Sequence, residues 1–196
     1  MRTLILGLVA TLIVLCSGVA AAAQARGEVP TARPPAATYI TSAEVRAVAA
    51  KTGNLAVSDQ AIRIVNVNGE YNVAAGVVHR AKTVGQPTPN GIQHSEITEI
   101  YHVIEGSGTL VTGGTLENPT PAPADSPTVS LLNGPSTNGG AIRGGVSRTI
   151  GPGDVVIIPP NTPHWFSNVA TDQIVYLILR VDPHKVLPAG YMPPAN

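Results

Sequence analysis

His94, Glu99 and His164 are the residues of this chain whose types suit one chemistry together. Two imidazoles and one carboxylate are a donor set for a divalent transition metal: Fe first, with Mn, Ni, Cu and Zn also suited. The first two fall in residues 91–108, GIQHSEITEIYHVIEGSG, and the third in residues 151–168, GPGDVVIIPPNTPHWFSN. A histidine and a glutamate five positions apart say little alone. The second stretch says more, because Gly153, Asp154, four β-branched residues at 155–158, Pro159-Pro160 and Asn161-Thr162-Pro163-His164 read as strand, stop, tight turn and ligand in one run. A two-histidine, one-carboxylate face with open positions is typical of non-haem Fe(II) oxygenases, the open positions taking water, dioxygen or a chelating substrate.

The spacing of these two stretches resembles that of the cupins, small β-barrels with two signature motifs. Six residues separate Glu99 from Gly106, and four separate His94 from Glu99, as in the family's first motif. Gly153, Pro159, His164 and Asn168 occupy the positions of its second motif. Asn161 stands where that motif has its inner glycine, a mild change because Asn tolerates left-handed backbone. Two departures stand out: Ile92 replaces the first motif's first histidine, and that motif's leading glycine has no counterpart. The resemblance implies a metal-binding barrel that acts on a small molecule and forms a homodimer, although cupins that lose ligands include members without metal.

Other residues compete for places at such a site. His79 lies in phase with Val73, Ala75 and Val77, all apolar and expected to face the lumen; it is read either as a fourth ligand or as a core histidine bonded to backbone. Glu96, sharing the face of His94, is a candidate base or alternative ligand. Tyr101, sharing the face of Glu99, is a candidate to bind or protonate a substrate, or else packs with its hydroxyl at the rim. Arg143 and Arg148 are candidates for an anionic substrate, exposure being the commoner outcome for arginine. His102 is expected to face outward and His184 to be solvated.

These residues must be held by β-structure. AIRIVNV alternates with period two, Asn68-Gly69 is a hairpin turn, and YNVAAGVVHR returns antiparallel. Further short strands follow: QHSEI, TEIYHVI, a turn at 105–108, TLVTG, SRTI, DVVIIP, HWFSN and IVYLILRV. His94 and Glu99 are expected on adjoining strands of one hairpin. IVYLILRV, without alternation, reads as a central strand buried on both faces. The fold class is therefore all-β, an antiparallel barrel or jelly roll. One short helix precedes it, where Thr41-Ser42-Ala43-Glu44 has the form of a capping box and Gly53 a stop; Val45, Val48 and Ala49 share the face that packs on the barrel. Residues 113–145, rich in Gly and Pro, read as an inserted loop, a lid or a passive insertion, with a short strand expected at 129–132 and easy proteolysis.

Residues 1–23 carry one arginine, an apolar run at 4–15 and Ala21-x-Ala23 as a cleavage site, the pattern of an export signal. The run is shorter than the ~20 residues of a membrane span, so no stable span is expected after processing. Processing would remove Cys16, the one cysteine, and leave a fold resting on packing alone. Twelve basic residues balance 12 acidic ones, so no electrostatic footprint for nucleic acid exists. The expected organisation is a signal at 1–23, a lead-in at 24–40, the barrel at 41–182 and a tail at 183–196. The expected function is that of a periplasmic or secreted metalloprotein, an Fe(II)-type oxygenase or related oxidoreductase. A metal-dependent lyase or isomerase, or a non-catalytic binding protein, is the alternative.

Overall fold

A computed structural model of the chain describes residues 36–52 and 55–194. The expected export signal, most of the lead-in and the Gly53 stop lie outside the described residues. Helix α1 (Ser42–Ala49) begins on the expected capping box: the Glu44 N–H donates to Thr41 Oγ1 at 3.2 Å and the Thr41 N–H to Glu44 Oε2 at 2.9 Å. Strands β1 (Val57–Val67) and β2 (Tyr71–Ala81) form the expected hairpin, with Asn68 and Gly69 both at positive φ, 51° and 78°. That backbone matches the right-handed twist of the strands it joins.

Then follow β3 (Gly91–His94), β4 (Thr98–Thr112), β5 (Thr115–Leu116), β6 (Thr120–Pro121), β7 (Ser136–Gly139) and β8 (Ile142–Arg143). The last three are β9 (Val146–Ile150), β10 (Val155–Ile158) and β11 (His164–Asp182). All ladders are antiparallel. The sequence suggested a turn at 105–108 and separate strands HWFSN and IVYLILRV; instead β4 and β11 run unbroken through those points. Gly106, at φ 73°, lets β4 kink, and the register of β11 against it shifts between Val169 and Ile174. Before the kink β4 pairs with β10 and with residues 174–181 of β11; beyond it, β4 pairs with β9 and with residues 164–169. Two long strands thus pass through both halves of the barrel.

The core lies between those halves, with Val78, Tyr101, Val103, Leu110, Phe166 and Tyr176 among its members. A second cluster seats Val48 of α1 on Ile62 and Val77, with Val45 and Val175 at its edge, which places the helix outside the barrel as its apolar face required. Burying a valine such as Val48 contributes about 1.5–3 kcal/mol. Strand β11 is central by pairing, but its outward face is only partly covered: Ile174, Tyr176, Ile178 and Arg180 are buried while Leu179 is 41% exposed. The tail is bound rather than loose, since Asp182 accepts the Val186 and Leu187 N–H groups and Ile64 pairs with Gly190 and Tyr191.

Residues 113–145 depart most from expectation. The segment expected as a strand at 129–132 lies within a single π-helical turn (Thr128–Asn133), and β7 pairs with β3 in continuous register from Gly91↔Gly139 to His94↔Ser136. A loop expected to be irregular thus extends the sheet beside the site.

Candidate metal centre

Three elements converge on one point. His94 ends β3, Glu99 lies in β4 and His164 opens β11; all three are buried, and one donor atom from each lies within 4.8 Å of the others. His94 Nε2 is 3.5 Å from Glu99 Oε1, and His164 Nε2 is 3.3 Å from Glu99 Oε2. Donors bound at about 2.0–2.2 Å to one ion lie somewhat over 3 Å apart, so these separations fit. The two strands carrying His94 and Glu99 are not one hairpin. β3 pairs with β7 and β11, and the short link 95–97 carries the chain to β4.

Hydrogen bonds decide which ring nitrogens face the centre. The Ser136 hydroxyl donates to Gly134 O at 2.8 Å, so its oxygen is left to accept the His94 Nδ1–H at 2.8 Å. His164 Nδ1–H donates to Thr162 O at 3.0 Å. With Nδ1 donating in both rings, Nε2 is the nitrogen that each turns toward the Glu99 carboxylate, and it is a lone pair there in the neutral ring that binds metal. Lone pairs facing a carboxylate repel unless a cation lies among them. Burial, opposed by Glu99 and aided by His164 and Arg180, pushes His94 down to about 3, so it does not supply that cation as a proton near neutral pH. The donor set fits a divalent transition metal, as the family resemblance implied.

Glu99 is held as a carboxylate. Burial pushes it up, but the two imidazoles, Arg180 and the Tyr101 hydroxyl together draw it down to about 2. Arg180 is the permanent charge among these. It is 1% exposed, its Nε is 3.4 Å from Glu99 Oε1, and its Nη2 binds Asp59 Oδ2 on β1. Tyr101 donates to Glu99 Oε2 at 2.7 Å, and burial followed by the adjacent carboxylate pushes its hydroxyl well above the usual range. It is a held phenol, not a ready base.

The other candidates fall elsewhere. His79 does not face the lumen: it sits opposite Val175 on the face that Val77 turns toward α1, and its buried Nδ1 has no hydrogen-bond partner among the described residues. The lumen face of β2 is the alternate one, with Val78 and Arg80. Glu96 lies in the link after β3, where alternation no longer applies, and binds the exposed ring of His184, off the cavity. Arg143 pairs with Glu117 on the surface, and Arg148 is exposed on β9. Sequence reading missed Arg180, Asp59, Ser136 and Arg80. One signal was present, since Arg180 continues the inward phase of Ile174, Tyr176 and Ile178.

The three donors open on a cavity of about 380 Å³ whose walls include Arg80, Ile92, Asn133 and Tyr176, a size for a small organic molecule. Replacing Ser136 by alanine removes the acceptor that orients His94. Metal affinity, measured by competition with a chromogenic chelator, should fall about 10- to 100-fold with the fold intact. Unchanged affinity would show that the hydroxyl does not orient the ligand.

Residues 88–190 match the model of the family described as Cupin. None of the curated proteins matches the chain. Similar solved structures include oxalate oxidase in complex with glycolate, 18% identical with a TM-score of 0.42 over 67% of this chain and 53% of that one. Another is the DMSP lyase DddQ from Ruegeria pomeroyi DSS-3, 17% identical with a TM-score of 0.40 over 71% and 54%. A third is KdgF from Halomonas sp., 16% identical with a TM-score of 0.36 over 68% and 85%. The chain spans about half the length of the oxidase and lyase chains.

Proposed function

We propose that this chain, which belongs to the cupin family, is a metal-dependent enzyme acting on a small organic molecule, and that its chemistry is oxidative, with dioxygen as co-substrate. The observation that carries the reading is the convergence of two histidine Nε2 atoms and one buried carboxylate beside a cavity. A divalent transition metal held by His94, Glu99 and His164 supplies Lewis acidity, open coordination positions and, if it is iron, electron transfer to dioxygen. The residues around it do the rest. Arg180 and Tyr101 fix Glu99 in its charged form and in one rotamer. Ser136 and Thr162 fix the two imidazoles. Ile92, where the first motif of cupins has a histidine, lines the cavity with an apolar side chain in place of a further ligand.

Export belongs to the same proposal: the apolar run at 4–15 and the small residues before 24 support removal of residues 1–23. Protein recovered from the cell envelope tests both parts. Its intact mass should lack those residues, and elemental analysis should find a stoichiometric transition metal. Loaded with Fe(II), it should consume dioxygen with some member of a panel of keto acids, hydroxy acids and diphenols. Turnover without oxygen uptake would replace the oxidase reading with a lyase or isomerase. Binding without turnover under several metals would leave a binding protein.

A further inference from the structure

The cavity holds a second feature, at Arg80. Its Nε donates to Tyr176 Oη at 3.1 Å, and its guanidinium carbon lies 4.9 Å above the centroid of the Phe166 ring. These two contacts pin the group, yet neither uses its terminal nitrogens, which make no hydrogen bond among those of the described residues. The nearby carboxylate does not serve them. Asp59 binds Arg180 through Oδ2, and its Oδ1 has no hydrogen-bond partner. A guanidinium held by an aromatic face and a phenol, with its two-pronged end free in a cavity, is built to receive a planar anion.

Charge points the same way. Glu99, Asp59 and Arg80 line the cavity, and the buried Arg180 pairs with both carboxylates, so the four charges cancel. A divalent metal held by the two imidazoles would leave two positive charges beside buried groups, and burying uncompensated charge is costly. An anionic ligand removes that cost. The walls also carry Asn133, 8% exposed, whose Oδ1 is buried without a partner and can accept a ligand O–H or N–H. Arg80 and the metal donors lie along one wall: Tyr176, bonded to Arg80, packs 4.5 Å ring to ring on Tyr101, which is bonded to Glu99.

We infer that the substrate is a small organic carboxylate whose anionic end is gripped by Arg80 while its other end meets the metal donors. This rests on reading the cavity as an active site and names the substrate class for it. Arg80 is then the residue that selects acids over their neutral analogues.

The test is a binding cycle by calorimetry, with malonate, succinate and glutarate each measured against its uncharged dimethyl ester. Wild-type protein should prefer at least one diacid over its ester by about tenfold, and Arg80→Met should reduce that preference to within about threefold, as loss of a charge-assisted bidentate contact requires. Arg80→Lys, which keeps the charge without the fork, should fall between and serves if the Met variant does not fold. Absence of the preference in wild type, or its survival in the variants, overturns the inference. Metal content is measured alongside, and the cycle is repeated on metal-free protein. An acid preference in protein that never holds metal would keep the Arg80 site and remove the metal enzyme. Metal binding without that preference would do the reverse.

Discussion

Glu99→Ala is expected to strip the metal from the protein and, unlike the loss of either histidine, to weaken the metal-free fold as well. Glu99 has two duties. Its carboxylate is within 3.3 and 3.5 Å of the two Nε2 atoms and also lies 3.4 Å from Arg180 Nε, whose side chain is fully buried. Removing one partner of a buried ion pair costs on the order of 3–5 kcal/mol, because the survivor keeps its desolvation penalty without its compensation. Asp59 still faces Arg180, so the lower end of that range is expected. His164→Ala leaves no charge stranded and should cost about 1–3 kcal/mol while losing the metal as completely. Elemental analysis reads the first effect and urea denaturation of chelator-treated protein the second. Equal stability of the two metal-free variants would show that Arg180 does not depend on Glu99. A fold resting on packing alone would tolerate the loss of any one ligand; the ion pair behind Glu99 is what changes that expectation.

Gly106→Ala is expected to be the most damaging single-methyl change in the barrel. At φ 73° the residue already sits where an L side chain is strained, and a Cβ there would lie 1.8 Å from Gln173 O and 2.8 Å from Gln173 C. Both are backbone atoms of β11 and cannot swing aside. The two strands must separate at the point where each passes from one half of the barrel to the other, and they carry Glu99, Tyr101, His164, Tyr176 and Arg180 between them. A loss above about 4 kcal/mol, or failure to fold, is expected. Gly69→Ala is the control. It has the same sign of φ, 78°, with nothing within 4 Å of its Cβ, so only the left-handed penalty of about 1–2 kcal/mol applies. If chemical denaturation shows the two variants equally stable, the kink of β4 does not need its close approach to β11.

Features set by short-range chemistry were legible in the sequence. The capping box at Thr41 and Glu44, the Asn68-Gly69 turn and the left-handed Asn161, at φ 60°, each depend on a few neighbouring residues, and each has the expected form. The grouping of His94, Glu99 and His164 was also readable, because each lies at the end of a strand or one step into it, where turn and strand chemistry limit the direction of the side chain. Gly106 was visible as a motif position, though as part of a turn rather than as the kink of a continuous strand.

Tertiary structure decided whatever depended on which face a strand presents and what covers it. Strand β2 is apolar on both faces, one packed on the core and the other under α1, so its sequence carries no alternation from which to tell His79 from Arg80. The wrong phase put an imidazole at the site and hid the guanidinium. Glu96 looked coupled to His94 by a period of two that holds only while the strand lasts, and β3 ends at His94. Residues 113–145 carry no periodic pattern because their order comes from pairing with β3 and from covering the cavity, contacts between segments about 40 residues apart. The sequence by itself therefore determined that a metal-suited barrel would form and which three residues would meet in it. The partners of those residues, Ser136, Arg180 and Asp59, and the cation of the cavity, Arg80, were decided only where distant strands came into register, since burial and charge pairing are properties of that assembly and not of any local run of residues.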